Sequence, residues 1–233
     1  LASIEGALDK RAKRIDLLRS FTRQYFEKAS ADALRQRTPD QLAALVQRHF
    51  EFAGSRVPGQ ALIRVLPPAE GSDIGAMATL ETVFDDMPFL VDSAAMAVRD
   101  AGASVDWSVH PIMRIRRDRR GRLLEVCSEH LEQPAESMIH LEFEPLASAK
   151  AYAELEQRLH TVFADVARMV GDYGAMMQRL HDLVATLAST PTAGDQGRSL
   201  DDVAEARAFI EWLGQDHFTF IGYAFAAAYS DDA

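Results

Sequence analysis

The chain has 233 residues, 48% apolar and 26% charged, with a formal net charge of −10 at pH 7. These values exclude a mainly disordered chain, and the negative charge repels phosphate backbones and anionic lipid, so no nucleic acid and no membrane is expected as a partner. No apolar run approaches the roughly 20 residues that span a bilayer, the opening Leu1-Ala-Ser-Ile-Glu5 lacks a signal-peptide layout, and the lone Cys127 fits a reducing cytoplasm. A start at Leu1 reads as a piece of a longer polypeptide.

In chain order, Leu8, Ile15, Leu18, Phe21 and Tyr25 recur at helical spacing. Thr38-Pro39-Asp40-Gln41 is a helix start, with Thr38 capping, Pro39 in the first helical position and Gln41 able to close the box. Leu42, Leu45, Val46, His49 and Phe50 then form one stripe that ends near Gly54. Residues 1–56 are therefore an N-terminal helical segment.

The character changes after that. Residues 61–66 read as a strand stopped by Pro67-Pro68, and residues 78–84 as a second strand. Pro88 to Ala101 reads as a helix with Pro88 in its first turn and Gly102 closing it. Residues 104–109 alternate, with Val105, Trp107 and Val109 on one face. The runs 112–117 and 122–127 flank Asp118-Arg-Arg-Gly121, a hairpin turn. Residues 138–143 alternate again. A helix spans 148–170, Gly171-Asp-Tyr-Gly174 is expected to interrupt it, and a second helix carries Met177 to Leu187. Residues 57–188 thus form an α+β domain with an antiparallel or mixed sheet, ferredoxin-like, with helices on one face and a C-terminal helical hairpin. Residues 189–198 are a linker by composition. Residues 199–233 hold a short helix through Leu213 and an apolar strand, His217 to Phe225, that opens a second module.

Several short segments resemble one family when taken together and in order. They are Asp85-Asp-Met-Pro-Phe-Leu-Val-Asp-Ser93, His110-Pro111, the hairpin Arg117 to Arg122, Glu136-Ser-Met-Ile-His-Leu141, Phe209-Ile-Glu-Trp-Leu213 and Phe218-Thr-Phe-Ile-Gly-Tyr223. The pattern is similar to the N-terminal region of the large bacterial NAD-dependent glutamate dehydrogenases and covers roughly residues 10 to 225. The resemblance implies an ACT-like regulatory region, with NAD and the oxidation of glutamate to 2-oxoglutarate and ammonia belonging to another part of the parent enzyme. It also implies other domains and subunits of the same enzyme as partners, an oligomer in the cytoplasm, and a possible amino-acid effector. ACT modules bind amino acids near an Asp-Arg/Lys-Pro-Gly turn; here the turn is Asp86-Met-Pro-Phe89, with Phe89 where that turn carries glycine.

The residues agree with a region that does not react. No Gly-x-Gly-x-x-Gly follows a strand, and there is no phosphate loop, Gly-x-Ser-x-Gly elbow or His-Glu-x-x-His. No catalytic residue and no cofactor-binding residue is expected in this region. The effector candidates are Asp85, Asp86, Met87, Pro88, Phe89 and His110: a ligand carboxylate on helix N–H groups and an ammonium on Asp86, or simply a helix cap. Arg116 and Arg119 belong to a basic hairpin, read as a solvated face or a docking surface. His140 is placed on the polar side of its strand, no metal site is expected, and Trp107 and Trp212 read as core. Two other readings remain: a ligand-free oligomerisation module, and a small enzyme using Asp86 and His110 as an acid–base pair.

Overall fold

A computed structural model describes residues 1–9, 14–68, 77–127, 134–189 and 200–224. Four helices come first: α1 (Ala2–Ala7), α2 (Ile15–Tyr25), α3 (Ala31–Arg35) and α4 (Pro39–Phe52). The start of α4 is the capping box expected from sequence. Thr38 Oγ1 accepts from Gln41 N at 3.2 Å, and Gln41 Oε1 accepts from Thr38 N at 2.9 Å. Both are donors that a helix start otherwise leaves unpaired.

Six strands follow: β1 (Leu62–Leu66), β2 (Ala78–Asp85), β3 (Val105–Val109), β4 (Ile112–Arg117), β5 (Leu123–Val126) and β6 (Ala135–Phe143). They form one sheet in the order β1-β2-β6-β4-β5, with β3 also beside β6, and each of these pairings is antiparallel. β3 and β4 lie end to end along the same edge of β6, joined at His110-Pro111, where Met138 N donates to Pro111 O at 3.0 Å. The β4–β5 hairpin turns as expected. Asp118 N donates to Arg122 O, and Gly121 supplies the positive φ, +80°, that a residue with a Cβ adopts only under strain.

Helix α5 (Leu90–Asp100) departs from expectation at its start. Pro88 is not in the first helical turn; it sits in the turn before it, and Phe89 follows with φ +73° and ψ −6°. These are the angles of the third residue in a type II turn, for which proline is favoured just before. Asp86 does not cap α5 either, since the N-cap position is Phe89 and no side chain bonds there. The far end is as read: Gly102 has φ +87°, and Ala103 N returns to Val98 O.

Side chains alternate across the sheet. On one face Val83, Trp107, Val109, Met113, Ile115, Leu123 and Met138 share a core with Leu18, Phe21, Tyr25, Leu45, Val46 and Phe50 of the N-terminal helices. On the other, Leu80, Phe84, Ile139, Leu141 and Phe143 are buried, and the Phe84 ring packs at a tilt against Phe163, 5.9 Å between ring centroids. That second face carries α5 and the start of α6 (Ala149–Ser189). The helical layer expected from sequence is this one. Helices α1–α4, read as a separate segment, close over the opposite face and merge with the sheet.

The chain divides into two compact units, Leu1–Ala164 and Asp165–Ala233. The expected break at Gly171-Asp-Tyr-Gly174 does not occur, and α6 runs through both glycines. Glycine costs about 1 kcal/mol relative to alanine inside a helix but removes no backbone hydrogen bond, so good helix formers on either side carry it. In the second unit α7 (Leu200–Trp212) is the short helix expected, and a π-helical turn at Leu213–His217 follows it. The expected strand from His217 is absent among the described residues; Phe218 to Ala224 pairs with nothing, and Ile221 is 77% exposed. A strand requires a neighbour to satisfy its backbone, which residue composition alone does not supply. Trp107 is buried as expected, whereas Trp212 is 42% exposed rather than core. The linker 189–198 lies outside the described residues except for Ser189. None of the described helices is long and apolar enough to cross a membrane.

Candidate functional site

The acidic turn after β2 divides into two parts. Asp85 is engaged internally: its Oδ1 accepts from Arg56 Nη2 at 2.6 Å and its Oδ2 from Gly59 N at 2.9 Å. Asp86 is exposed and held by its backbone, which donates to Ala135 O at 2.9 Å. Met87 is half-buried, while Pro88 and Phe89 are exposed. His110 lies close enough to Asp86 to feel its charge: burial lowers the imidazole pKa, and the Asp86 carboxylate opposes that shift. Its Nε2 is 2.7 Å from Ser137 Oγ. The charge of Asp86 is thus felt at His110, whose hydrogen-bond partner is Ser137, while Asp85 is drawn into a different network. Beside His110 is a cleft of about 180 Å3, lined by Tyr25, Lys28, Ser30, Ser108, His110 and Pro111.

The arginine hairpin also divides. Arg116 pairs with Glu125 at the surface at 2.8 Å, and Arg119 is exposed at the turn. Arg117, by contrast, is interior. It grips Glu136 with two bonds of 2.7 Å, from Nε and Nη2, and its Nη1 donates to Ala53 O and Gly121 O. Glu136 also accepts from Arg56 at 2.9 Å, so Asp85, Arg56, Glu136 and Arg117 form one chain of charges. The loop at residues 54–57 is held on the hairpin by this chain and by Arg56 N donating to Gly121 O.

A second cluster lies under α4 on the same sheet face. Glu81 and His140 are direct neighbours across β2 and β6, both fully buried, with Glu81 Oε1 3.3 Å from His140 Nδ1. His140 Nε2 faces Glu142 Oε1 at 3.6 Å. Glu81 receives Arg48 from α4 at 2.8 Å and Arg64 from β1, while Glu142 receives Arg37. Burial alone would raise the Glu81 carboxyl, but His140, His49 and Arg48 outweigh it and hold it well below the usual carboxylate range. Glu142 is lowered in the same way, His140 and Arg37 overcoming burial. A buried carboxylate is tolerable only with such partners.

His49 completes the group. Its Nδ1 is 2.7 Å from Tyr25 Oη and its Nε2 is 3.1 Å from Thr82 O. Burial holds the Tyr25 hydroxyl protonated, so it donates to Nδ1, and the Nε2–H donates to the carbonyl. That is a neutral imidazole, and burial pushes its pKa down to about 4. The expectation that His140 lies on the polar side of its strand is corrected here: that side is the interior under α4, because the N-terminal helices cover it.

His49, Glu81 and His140 offer donor atoms within 4.8 Å of one another, a grouping that sequence spacing did not reveal. The chemistry of the donors does not fit a metal. Both His49 nitrogens are in hydrogen bonds, and both Glu81 oxygens hold arginines, which set two positive charges where a cation would sit. The cluster works as an ionic seam between helices and sheet. The signal that was open in the sequence is Glu136, His140 and Glu142 on one face of a mostly apolar strand; their partners come from other elements, Arg56 and Arg117 for Glu136, Glu81 for His140 and Arg37 for Glu142.

The family profile for the glutamate dehydrogenase ACT1 domain matches residues 21–159, from α2 through the start of α6. The NAD-specific glutamate dehydrogenase of Pseudomonas aeruginosa is 28% identical over 209 residues, covering 87% of this chain and 13% of that protein. That of Halomonas elongata is 28% identical over 228 residues, 94% of this chain and 14% of the relative. The enzyme of Mycobacterium tuberculosis is 25% identical over 186 residues, 77% of this chain and 11% of the relative. The chain thus spans only a small fraction of the length of the curated relatives it matches.

Proposed function

The chain belongs to the glutamate dehydrogenase ACT1-domain family, and on that premise we propose that it is a non-catalytic regulatory and assembly region of an NAD-dependent glutamate dehydrogenase. The parent enzyme converts L-glutamate and NAD to 2-oxoglutarate and ammonia in the cytoplasm, and this region docks on its other domains and subunits. The observation that carries the reading is the match over residues 21–159, which takes in the sheet and helices from both of its faces.

The geometry supports it in two ways. The described strands pair antiparallel, so they provide no parallel-strand crevice of the kind that holds a dinucleotide, and NAD belongs to another part of the parent. The interior carboxylates are also tied into arginine pairs rather than aimed at open space. An amino-acid effector would use the exposed turn at Asp86 and His110, which lines the small cleft. One observation favours the ligand-free alternative: Asp85 already holds Arg56 and Gly59 N, which leaves Asp86 alone to receive an ammonium.

Two assays on the purified chain test this. Incubated with glutamate and NAD, it should form no NADH; turnover would overturn the reading and revive Asp86 and His110 as an acid–base pair. Calorimetric titration with a panel of amino acids separates the two non-catalytic roles. Heat that disappears in Asp86→Asn supports sensing, and no heat at millimolar concentration supports assembly alone.

A further inference from the structure

Helix α7 is poorly covered. Its main packing partner among the described residues is the π-helical turn that follows it, and residues 204–209 are all exposed. A solitary helix of 13 residues is marginal in water. Its ends differ in chemistry. The first turn carries Asp201 and Asp202, with Glu205 just beyond. The far end is aromatic: Phe209 is 57% exposed, Trp212 42% and Phe218 57%, with ring centroids 6.1 Å and 5.7 Å apart along the series. Exposed large aromatic side chains in contact with one another mark a surface that is covered in use.

The β4–β5 hairpin has the complementary character. Arg119 and Arg120 stand exposed at its tip; Arg116 and Arg122 are exposed but pair with Glu125 and Asp118 at 2.8 Å and 2.7 Å, and Ile112 at the start of β4 and Leu124 on β5 are 43% and 42% exposed. Guanidinium groups attract carboxylates and lie favourably over aromatic faces. On a chain of net charge −10 this hairpin is a local excess of arginine, and two copies that otherwise repel would meet where opposite signs face each other.

We infer that α7 of one copy docks on the β4–β5 hairpin of a second copy, the acidic first turn on Arg119 and Arg120 and the aromatic end on the apolar part of the hairpin. The inference rests on the assembly role proposed above and gives it a partner surface.

Sedimentation equilibrium of the full chain tests it, using Arg119→Glu with Arg120→Glu, Asp201→Lys with Glu205→Lys, and all four changes together. All four positions are exposed, and circular dichroism checks that each variant keeps the wild-type fold. The wild-type chain is expected to self-associate more weakly as ionic strength rises from about 0.01 M to about 1 M, over which the Debye length falls from ~30 Å to ~3 Å. Each double reversal should weaken association about tenfold or more, and the fourfold swap should restore it to within about threefold of wild type, because opposed charges are then rebuilt with exchanged signs. A chain that is monomeric at every concentration overturns the docking. So does self-association that ignores the reversals, or a fourfold variant no better than the doubles. Self-association indifferent to these charges overturns only the surface and leaves the assembly role standing; turnover by the chain overturns that role independently.

Discussion

Acid should loosen this domain well before its carboxylates titrate, because His49 is buried as the neutral imidazole. In the unfolded chain a histidine titrates near 6.5; in the fold, burial pushes His49 down to about 4, Glu81 opposing this while His140 and Arg64 reinforce it. Between those two values the unfolded chain binds the extra proton and the native one does not. Stability therefore rises with pH across the window, and falls as pH drops from about 6.5 toward 4. The full difference is about 3 kcal/mol, at roughly 1.4 kcal/mol per pH unit, and about 2 kcal/mol of it is lost between pH 7 and pH 5. Urea unfolding at pH 7, 6 and 5, followed by circular dichroism, measures it. His49→Gln will be less stable at pH 7, since it gives up the bonds to Tyr25 and Thr82. Its further loss between pH 7 and 5 should nevertheless be smaller than that of wild type by about 2 kcal/mol. An unchanged pH dependence in the variant would refute the neutral, buried His49 on which this reasoning depends.

Glu81→Gln leaves Arg48 and Arg64 facing a neutral amide, and should cost about 3 kcal/mol in unfolding free energy, as breaking buried ion pairs does. The lowered Glu81 and Glu142 carboxyls add a second acid effect: their stabilisation is complete above the ordinary carboxylate pKa and declines as pH falls below it, so wild-type unfolding should steepen below about pH 4.5. Gly121→Ala should destabilise far more than Gly59→Ala: both have positive φ, worth about 1 kcal/mol, but a Cβ at Gly121 would lie 2.3 Å from Arg56 O, whereas none at Gly59 meets anything within 4 Å. Thermal melts of the pair would check this, with equal losses counting against the close approach of loop and hairpin. Phe163→Ala, which empties the contact with Phe84, should cost about 3–5 kcal/mol.

Local chemistry carried much of the reading. The Thr38 capping box, the Asp118–Gly121 hairpin and the Gly102 helix end each depend on a few adjacent residues, and each forms as the sequence implies. The failures share a cause as well. Pro88 fits both a first helical turn and the second position of a type II turn, and the positive φ of Phe89 chose between them. Gly171 and Gly174 looked like a break because glycine is a poor helix former, but a continuous run of backbone bonds tolerates it. His217 to Phe225 looked like a strand by composition, and strand formation depends on a partner.

For the candidate site, residue types were visible and pairings were not. A carboxylate on an apolar strand announces that a cation must reach it, since an unpaired buried charge is too costly to keep. Which cation does so is decided by register and packing: Glu81 opposite His140, α4 laid across β2 to deliver Arg48, Arg56 drawn between Asp85 and Glu136. The sequence by itself determined the α+β composition, the helix and turn signals, and the family likeness. Only the tertiary structure decided that the N-terminal helices seal the charged face of the sheet, because contacts between residues far apart in the chain depend on how whole elements pack, and no local pattern encodes that.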